Sequence, residues 1–233
     1  MLPIVILAGG LATRLGTLTA EVPKSLIEIN GKPFIDWQME KLVSAGYSCF
    51  VLCLSHKSEQ IQNHLGDGTR WGVNIKYSLD GEFQLGTGGA IKKALPMLGQ
   101  KFAVIYGDSY LPINYSEIEG KFLQSRKKGL MTVYKNINKF DQSNVEYVNG
   151  NIYRYDKIMI NPRMHHIDYG LTYFRIEAFL DFEKCISFDL SDVYLQLLKK
   201  EELRGFEVFE RFYEIGSRQG IEDFSGYLRK VSL

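Results

Sequence analysis

The sequence predicts an α/β fold in which a mostly parallel sheet is covered by helices on both faces. Through the first half of the chain, short apolar runs typical of buried strands alternate with stretches of helical spacing. Two of these runs, 3–7 and 102–106, end abruptly in glycine and polar residues. A content of 45% hydrophobic and 13% aromatic residues can fill a sizeable core. Together these observations indicate a Rossmann-like sheet with ligands at its edge.

Strands of the first half are predicted from short apolar runs, and helices from apolar residues three or four positions apart. In chain order these elements are a strand over 3–7, a helix over 36–45, a strand over 49–54, a helix over 58–65, a strand over 73–78, a helix over 88–95 and a strand over 102–106. Ligands of parallel sheets collect at the carboxyl ends of strands. We therefore expect the loop after the first strand and the residue Asp108 to converge.

From about Met131 the pattern changes to shorter strands. The predicted elements are strands over 131–134, 145–147, 152–155, 171–174 and 206–212 and helices over 189–199 and 219–228. Asn149-Gly150-Asn151 indicates a hairpin between two of the strands. Because no linker-like stretch separates the halves, we expect one domain over 1–233, divided into a half over 1–130 and a half over 131–233.

Charge and cysteine content exclude several classes of protein. With 28 basic and 27 acidic residues, the net charge is +1, which argues against a dedicated nucleic-acid surface. The three cysteines lack the spacing of a zinc site and are interpreted as thiols. The apolar run at the N-terminus is too short for a leader or a membrane span. We expect a cytoplasmic protein without a nucleic-acid or membrane partner.

The run Leu7-Ala8-Gly9-Gly10-Leu11-Ala12-Thr13-Arg14-Leu15, followed by Pro23-Lys24-Ser25-Leu26, is the most informative feature. Glycines after a strand expose backbone N–H groups, which suit a triphosphate. Arg14 can hold the β and γ phosphates as a planar fork, and Lys24 can reach the α phosphate. The residues of this loop predicted to bind nucleotide are Leu7, Ala8, Gly9, Gly10 and Thr13.

This string, G-G-x-x-T-R-L, then seven residues, then P-K-x-L, resembles the signature of sugar-1-phosphate nucleotidyltransferases. It fits neither the dinucleotide-binding fingerprint nor the P-loop. The resemblance implies a GT-A-like nucleotidyltransferase fold, with Arg14 and Lys24 as the catalytic cations that neutralise developing charge. Ala12 departs from the pattern, since members of the family commonly have glycine there.

A second block, Gln84-Leu85-Gly86-Thr87-Gly88-Gly89-Ala90, joins a predicted strand to a predicted helix. Taken alone it is equally well a flexible loop with a helix cap. The family resemblance implies that small residues here let the backbone approach the nucleobase and ribose. It assigns Gln84, Gly86, Thr87 and Gly88 to nucleotide binding, and it makes 1–130 the nucleotide-binding half.

Asp108 follows a strand and a glycine, and a carboxylate in that position suits Mg²⁺. The resemblance implies that Asp108 binds the catalytic metal, so that Mg²⁺ is the expected cofactor. The family's second ligand is an aspartate in a late string that reads here Phe212-Tyr213-Glu214-Ile215-Gly216-Ser217. We expect Glu214, one methylene longer, to bind the metal directly or through water.

The second half, 131–233, is expected to bind the acceptor. Lys157 follows the predicted hairpin, where the family carries a lysine that meets the sugar phosphate, although a solvated surface lysine is an equal alternative. Asn144, Tyr169 and Gly170 lie where the family contacts the sugar. These four residues are the predicted acceptor-binding set.

The resemblance implies an enzyme that converts an NTP and a sugar 1-phosphate to an NDP-sugar and pyrophosphate. The chain is most similar to short heptose-1-phosphate guanylyltransferases and to muramate- or mannose-phosphate relatives, which implies bacterial surface-glycan synthesis, of capsule or lipopolysaccharide. A cytidylyltransferase acting on a non-sugar phosphate ester and a non-catalytic nucleotide-sugar sensor are alternatives. The nucleobase, the acceptor and the oligomeric state, including a homo-oligomer, stay open.

Overall fold

A computed structural model describes residues 1–10, 22–81 and 83–231 of this chain. A nine-stranded sheet runs through it, with helices on both faces. The strands are β1 (Ile4–Leu7), β2 (Glu28–Ile29), β3 (Lys32–Pro33), β4 (Cys49–Leu54), β5 (Asn74–Leu79), β6 (Lys101–Tyr106), β7 (Ser109–Tyr110), β8 (Gly129–Lys135), β9 (Val145–Val148), β10 (Asn151–Tyr155), β11 (His166–Arg175), β12 (Leu203–Val208) and β13 (Tyr213–Glu214). The α-helices are α1 (Phe34–Ser44), α2 (Ser58–Leu65), α3 (Gly86–Ala94), α4 (Tyr115–Ser125), α5 (Leu190–Lys199) and α6 (Arg218–Val231).

The strand order of the large sheet is β5-β4-β1-β6-β11-β8-β12-β10-β9. The four strands of the first half are parallel to one another, as predicted. In the second half β11 runs antiparallel to both β6 and β8, while β12 is parallel to β8. The Rossmann-like α/β fold is therefore confirmed, but the expectation of a mostly parallel sheet holds only for the first half.

Alternate side chains of β1 enter two separate cores. Ile4 and Ile6 pack on the face covered by α1, α2 and α4, whereas Val5 packs on the opposite face beneath α3 and α5. All three side chains are fully buried. A strand covered on both faces needs apolar residues at every position, which explains why its sequence is a continuous apolar run.

Several elements differ from the sequence prediction, among them β11, which covers His166–Arg175 rather than 171–174. The helix α4 was not predicted, although Tyr115, Ile118 and Phe122 have helical spacing and are buried. The strand β12 covers Leu203–Val208 rather than 206–212. Its Gly205 breaks the apolar pattern because a side chain there would lie 2.7 Å from the Tyr147 ring.

The C-terminal elements return to the first half of the chain. The strand β13 pairs with β7, so that Glu214 lies opposite Ser109. A third, smaller core with Phe34, Ile215 and Phe224 packs α6 against α1. This arrangement puts the end of the chain beside Asp108. Across 1–10, 22–81 and 83–231, no helix combines the length and apolarity needed to cross a membrane.

Candidate active site

A cavity of about 460 Å³ lies at the carboxyl ends of β1, β4, β5 and β6. This is the edge of the sheet at which the sequence places ligands. Most of the predicted nucleotide-binding and catalytic residues that the structure describes line it. They are Leu7, Ala8, Gly9, Gly10, Lys24, Gln84, Gly86, Thr87 and Asp108.

The glycine loop after β1 is held by the loop after β4. The Ala8 amide donates to the Cys53 carbonyl at 3.0 Å, and the Ser55 hydroxyl donates to the Gly9 carbonyl. A Cβ on Gly9 would lie 3.1 Å from the Ser55 hydroxyl, so a glycine gives the closest fit. Thr13 and Arg14 lie outside the described residues, and their roles stay predictions.

Lys24 and Asp108 form an ion pair inside this cavity. Lys24 begins a short 3-10 helix, Lys24–Leu26, and its Nζ lies 2.6 Å from Asp108 Oδ2. The side chains are 15% and 36% exposed, respectively. Although 84 positions apart in sequence, the two groups are joined at the end of β6. The cavity therefore offers a cation, Lys24, that can bind an anionic ligand and a carboxylate, Asp108, that can bind a cationic ligand.

The turn that carries Asp108 is fixed by neighbouring strands. The Gly107 amide donates to the Leu7 carbonyl at 2.9 Å, and the Ile215 amide donates to the Asp108 carbonyl at 3.0 Å. A Cβ on Gly107 would lie 2.8 Å from the Leu7 carbonyl oxygen. Only a glycine lets the end of β6 approach β1 this closely, which sets the place of the carboxylate.

The glycines of the second block accommodate another part of this chain. The Phe188 carbonyl accepts from the amides of Gly88 and Gly89 at 3.0 and 3.1 Å. A Cβ on Gly86, whose φ is +70°, would lie 2.5 Å from that same oxygen. Gly88 is buried beneath the Phe188 ring and does not line the cavity. Gly86 and Thr87 line the cavity, whereas nucleotide binding by Gly88 stays a prediction.

We expect Gly88→Ala to lower the free energy of unfolding by about 1–3 kcal/mol, because the added methyl overlaps the Phe188 ring. Chemical denaturation measures this change. Gly99→Ala is the matched control, since a Cβ there meets nothing within 4 Å among the described residues. Equal stability of the two variants would contradict this packing account.

The side chain of Glu214 makes its hydrogen bonds within its own loop. Its carboxylate accepts hydrogen bonds from the Gly216 amide and, at 2.6 Å, from the Ser217 hydroxyl. The Ser217 hydroxyl in turn accepts from the Gly220 amide at 2.9 Å, so Ser217 caps the start of α6 and the Glu214 carboxylate holds this cap. The strand of Glu214 pairs with β7 next to Asp108, while its carboxylate is engaged by the Gly216 amide and the Ser217 hydroxyl. The extra methylene carries the carboxylate back to its own loop, and a role with metal stays a prediction.

Glu214→Gln separates the two roles, because its amide oxygen can still accept from Gly216 and its amide nitrogen can donate to the Ser217 hydroxyl, but the group has no charge for a metal. We expect Glu214→Ala to lower the free energy of unfolding by about 1 kcal/mol, because the Ser217 cap loses the carboxylate that holds it. We expect Glu214→Gln to retain most of that stability. A titration of activity with Mg²⁺ then tests the metal role, which an unchanged midpoint for Glu214→Gln would contradict.

On the acceptor side, Asn144, Asp168 and Gly170 form one hydrogen-bonded group. Asn144 Oδ1 accepts from the Asp168 amide at 3.0 Å, and Asp168 Oδ1 accepts from the Gly170 amide at 3.1 Å. Burial raises the pKa of Asp168, and the positive charge of Lys157 opposes that rise. Lys157 is exposed on the loop after β10. Three of the predicted acceptor residues are therefore near one carboxylate, outside the lining of the cavity.

Tyr169 does not belong to this group. Its side chain is buried on the opposite face of the sheet, where its ring centroid lies 5.9 Å from that of Phe212 and 6.3 Å from that of Tyr134. The expectation that Tyr169 contacts the acceptor is thereby corrected for its side chain. The register of β11 is irregular between Asp168 and Thr172, and Gly170 has a φ of +103°. The sequence did not reveal which way each side chain faces there.

The cavity residues that were not predicted as site residues include Asp80, Tyr106 and Asp189. Asp80 directly follows β5, as Asp108 nearly follows β6, so its position after a strand was an available signal. Burial raises the pKa of Asp80. Burial and then the nearby charge of Asp168 raise the pKa of Tyr106, which therefore lies between the cavity and the acceptor side. Asp189 caps the start of α5.

The cavity provides some of the oxygen ligands that Mg²⁺ requires. Asp108 offers one carboxylate, whose Oδ1 accepts a long bond of 3.4 Å from the Ser109 hydroxyl. Among the described residues, no three histidine, cysteine or acidic side chains are grouped to hold a metal. Mg²⁺ is commonly held by one or two carboxylates together with substrate phosphates and waters. The residues present fit that mode of binding and do not form a complete protein cage.

Comparison with known proteins identifies the family. The family described as "Nucleotidyl transferase" matches residues 4–162, which include the glycine loop, Lys24 and Asp108. The chain belongs to this nucleotidyltransferase family. The predicted resemblance is confirmed at this level, and the chain is an enzyme of the nucleotidyltransferase class.

Two curated relatives are similar to different extents. D-glycero-alpha-D-manno-heptose 1-phosphate guanylyltransferase of Campylobacter jejuni is 30% identical over 217 residues, 91% of this chain and 93% of that protein. N-acetylmuramate alpha-1-phosphate uridylyltransferase of Neisseria meningitidis is 41% identical over 112 residues, 48% of each chain. The similarity to the guanylyltransferase extends over both halves of this chain. The similarity to the uridylyltransferase covers about half of each protein.

Solved structures also match nearly the whole chain. HddC from Yersinia pseudotuberculosis, in a complex with GMP-PN, has a TM-score of 0.78 and 25% identity, and covers 98% of this chain and 100% of its own. A putative glucose-1-phosphate thymidylyltransferase from Bacillus anthracis has a TM-score of 0.86 at 18% identity, covering 98% and 96%. The second likeness supports the fold alone.

Proposed function

We propose that this nucleotidyltransferase transfers a nucleoside monophosphate from an NTP to a sugar 1-phosphate, releasing pyrophosphate and forming an NDP-sugar. The observation that carries the proposal is the Lys24–Asp108 ion pair beside the glycine loop, in a cavity at the carboxyl edge of the sheet. The pair offers a cation for phosphate and a carboxylate for a metal at a single point.

The dimensions of the cavity edge suit a nucleotide lying across the strands. Asp108 follows β6 and Asp80 follows β5, and these strands are three spacings apart in the order β6-β1-β4-β5. At about 4.8 Å per spacing the separation is about 14 Å. A nucleotide with its α phosphate at Lys24 therefore has its base toward Asp80 and Gln84, with the glycine loop between them.

Charge and alignment account for the chemistry in this proposal. An oxygen of the acceptor phosphate attacks the α phosphorus, a new P–O bond forms, and the bond from the α phosphorus to the bridging oxygen breaks. The electron pair of that bond leaves with pyrophosphate. The attacking oxygen is already anionic, so the step requires no general base. Lys24 holds the α phosphate and stabilises the charge that develops on it.

Mg²⁺ is the proposed cofactor, and Asp108 is the described residue that would hold it. When bound, the ion would neutralise part of the phosphate charge. Lys24 and Asp108 neutralise one another in the nucleotide-free protein. In the proposed complex Lys24 turns to the phosphate while Asp108 retains a cationic partner, so neither charge is left without a counterion.

The proposed acceptor is a heptose 1-phosphate, and the proposed pathway is surface-glycan synthesis, of capsule or lipopolysaccharide. The guanylyltransferase of Campylobacter jejuni supports the proposed acceptor, because its similarity extends over the acceptor half. The cytoplasm, where nucleoside triphosphates are available, is the proposed location. The oligomeric state has no support in either direction.

The test is a matrix of ATP, GTP, CTP, UTP and dTTP against heptose, mannose, glucose and N-acetylmuramate 1-phosphates, with phosphocholine as a non-sugar ester. Pyrophosphate release is the readout. We expect release only with a sugar 1-phosphate and strongest release with a heptose 1-phosphate. Turnover of phosphocholine with CTP would favour the cytidylyltransferase alternative. No turnover with any pair, alongside measurable NTP binding, would favour a nucleotide-sugar sensor.

Lys157→Ala tests the acceptor side. We expect the KM for the sugar phosphate to rise about tenfold or more and the KM for NTP to change little, because Lys157 is near Asp168 rather than in the nucleotide cavity. Steady-state kinetics with each substrate varied in turn measures both values. Lys184→Ala, which removes an exposed lysine that does not line the cavity, is the control. Equal rises in both KM values would contradict the assignment.

A further inference from the structure

Gln38 is a buried polar residue that neither the sequence pattern nor the cavity lining singles out. It lies on α1 among apolar side chains and is 1% exposed. Its amide nitrogen Nε2 donates to the Tyr106 carbonyl at 2.9 Å and to the Ser109 carbonyl at 2.7 Å. These two carbonyls flank Gly107 and Asp108. A single side chain thus bridges both ends of the turn that carries the carboxylate.

The orientation of this amide follows from its two partners. Both are carbonyl oxygens, which only accept, so the NH₂ end of the amide must face them and use both of its hydrogens. The amide oxygen Oε1 is buried and has no hydrogen-bond partner among the described residues. A buried oxygen without a partner costs free energy. An apolar residue of similar shape would avoid that cost, so the amide nitrogen must contribute something that packing does not.

We infer that Gln38 is a positioning residue for Asp108, which fixes the direction of its carboxylate for the metal-bound nucleotide. The inference rests on the proposed function, because it assigns Gln38 a role in Mg²⁺-dependent nucleotide binding. Gly107, Asp108 and their flanking carbonyls are held by Leu7, Ile215 and Gln38 from three sides. The first two contacts are backbone contacts, and Gln38 supplies the side-chain contact that substitution can remove.

The test compares Gln38→Met with Thr132→Val. Methionine has a similar length and shape but no donor, so the turn loses both hydrogen bonds. Thr132→Val also removes a buried hydrogen bond from a side chain to a carbonyl, that of Leu171 at 2.7 Å, but at a point away from the cavity lining. For each protein, isothermal titration calorimetry measures the affinity for a non-hydrolysable NTP with and without Mg²⁺, and thermal unfolding measures stability.

We expect Mg²⁺ to strengthen nucleotide binding by wild type, and Gln38→Met to reduce that enhancement about tenfold with little change in Mg²⁺-free affinity. Thr132→Val should retain the full enhancement even if its melting temperature falls. An undiminished enhancement in Gln38→Met overturns the inference. If Gln38→Met does not fold, Gln38→Asn, which is too short to bridge both carbonyls, is measured with the same two outcomes. Absence of any Mg²⁺ enhancement in wild type would instead contradict the proposed function.

Discussion

Asp108→Asn is expected to reduce pyrophosphate release by at least about a hundredfold at saturating Mg²⁺. The substitution keeps the shape of the side chain but removes its charge, so Lys24 loses its partner and the metal loses its described carboxylate. Initial rates over a range of Mg²⁺ concentrations measure the effect. Because the turn is held by backbone contacts on Gly107 and Asp108, we expect the fold to persist.

A second ion pair of this chain provides the control for that result. Asp181 accepts from Lys200 Nζ at 2.5 Å on an exposed surface outside the cavity lining. Asp181→Asn therefore removes an equivalent charge from a carboxylate–lysine pair without touching the site, and its activity should equal that of wild type. Near-normal turnover by Asp108→Asn would contradict the assignment of this carboxylate to the metal-bound nucleotide.

Lys24→Met is expected to lower turnover by about a hundredfold or more, and to raise the KM for NTP less than it lowers kcat. The ammonium group is mostly buried beside the glycine loop, so the charge acts where water screens it least. Lys24→Arg should recover little activity, because a guanidinium fork does not replace a compact point charge. Rapid-quench measurement of the chemical step separates this effect from product release.

Lys200→Met is the matched control for Lys24→Met, since Lys200 has the same kind of partner on the surface. If both variants turned over at the wild-type rate, the assignment of Lys24 to the α phosphate would be wrong. The double variant Lys24→Met/Asp108→Asn should lose less than the product of the two single losses, because the residues contact one another. The same large loss is expected for Arg14→Ala, a prediction from sequence that the described residues do not address.

The fold of the first half could be predicted closely from sequence, and that of the second half less well. Strands buried on both faces produce continuous apolar runs, so β1, β4 and β6 were predicted to within one residue at each end. The order and direction of strands in the second half depend on contacts between distant segments. A strand such as β11, antiparallel to both of its neighbours, has no local signal for its direction.

In the candidate site as well, single residues could be predicted from short motifs, whereas their contacts with distant residues could not. Lys24 and Asp108 were predicted separately from short motifs, and the structure joins them at 2.6 Å. Gly88 was predicted from a motif as well, but the group it accommodates is Phe188, one hundred positions further along the chain. A glycine in a motif indicates that another group lies close to the backbone. The surrounding sequence does not show which group that is. That partner depends on how remote parts of the chain pack.

The sequence by itself determined the family, the α/β class and the residue types that meet phosphate and metal, because these depend on local patterns of a few residues. Tertiary structure alone decided that Tyr169 faces the core and that Gln38 bridges the turn of Asp108. Each of these outcomes is a side-chain direction. Such a direction is set by which distant donor, acceptor or apolar surface gives the lowest free energy, and residues far apart in sequence supply those partners.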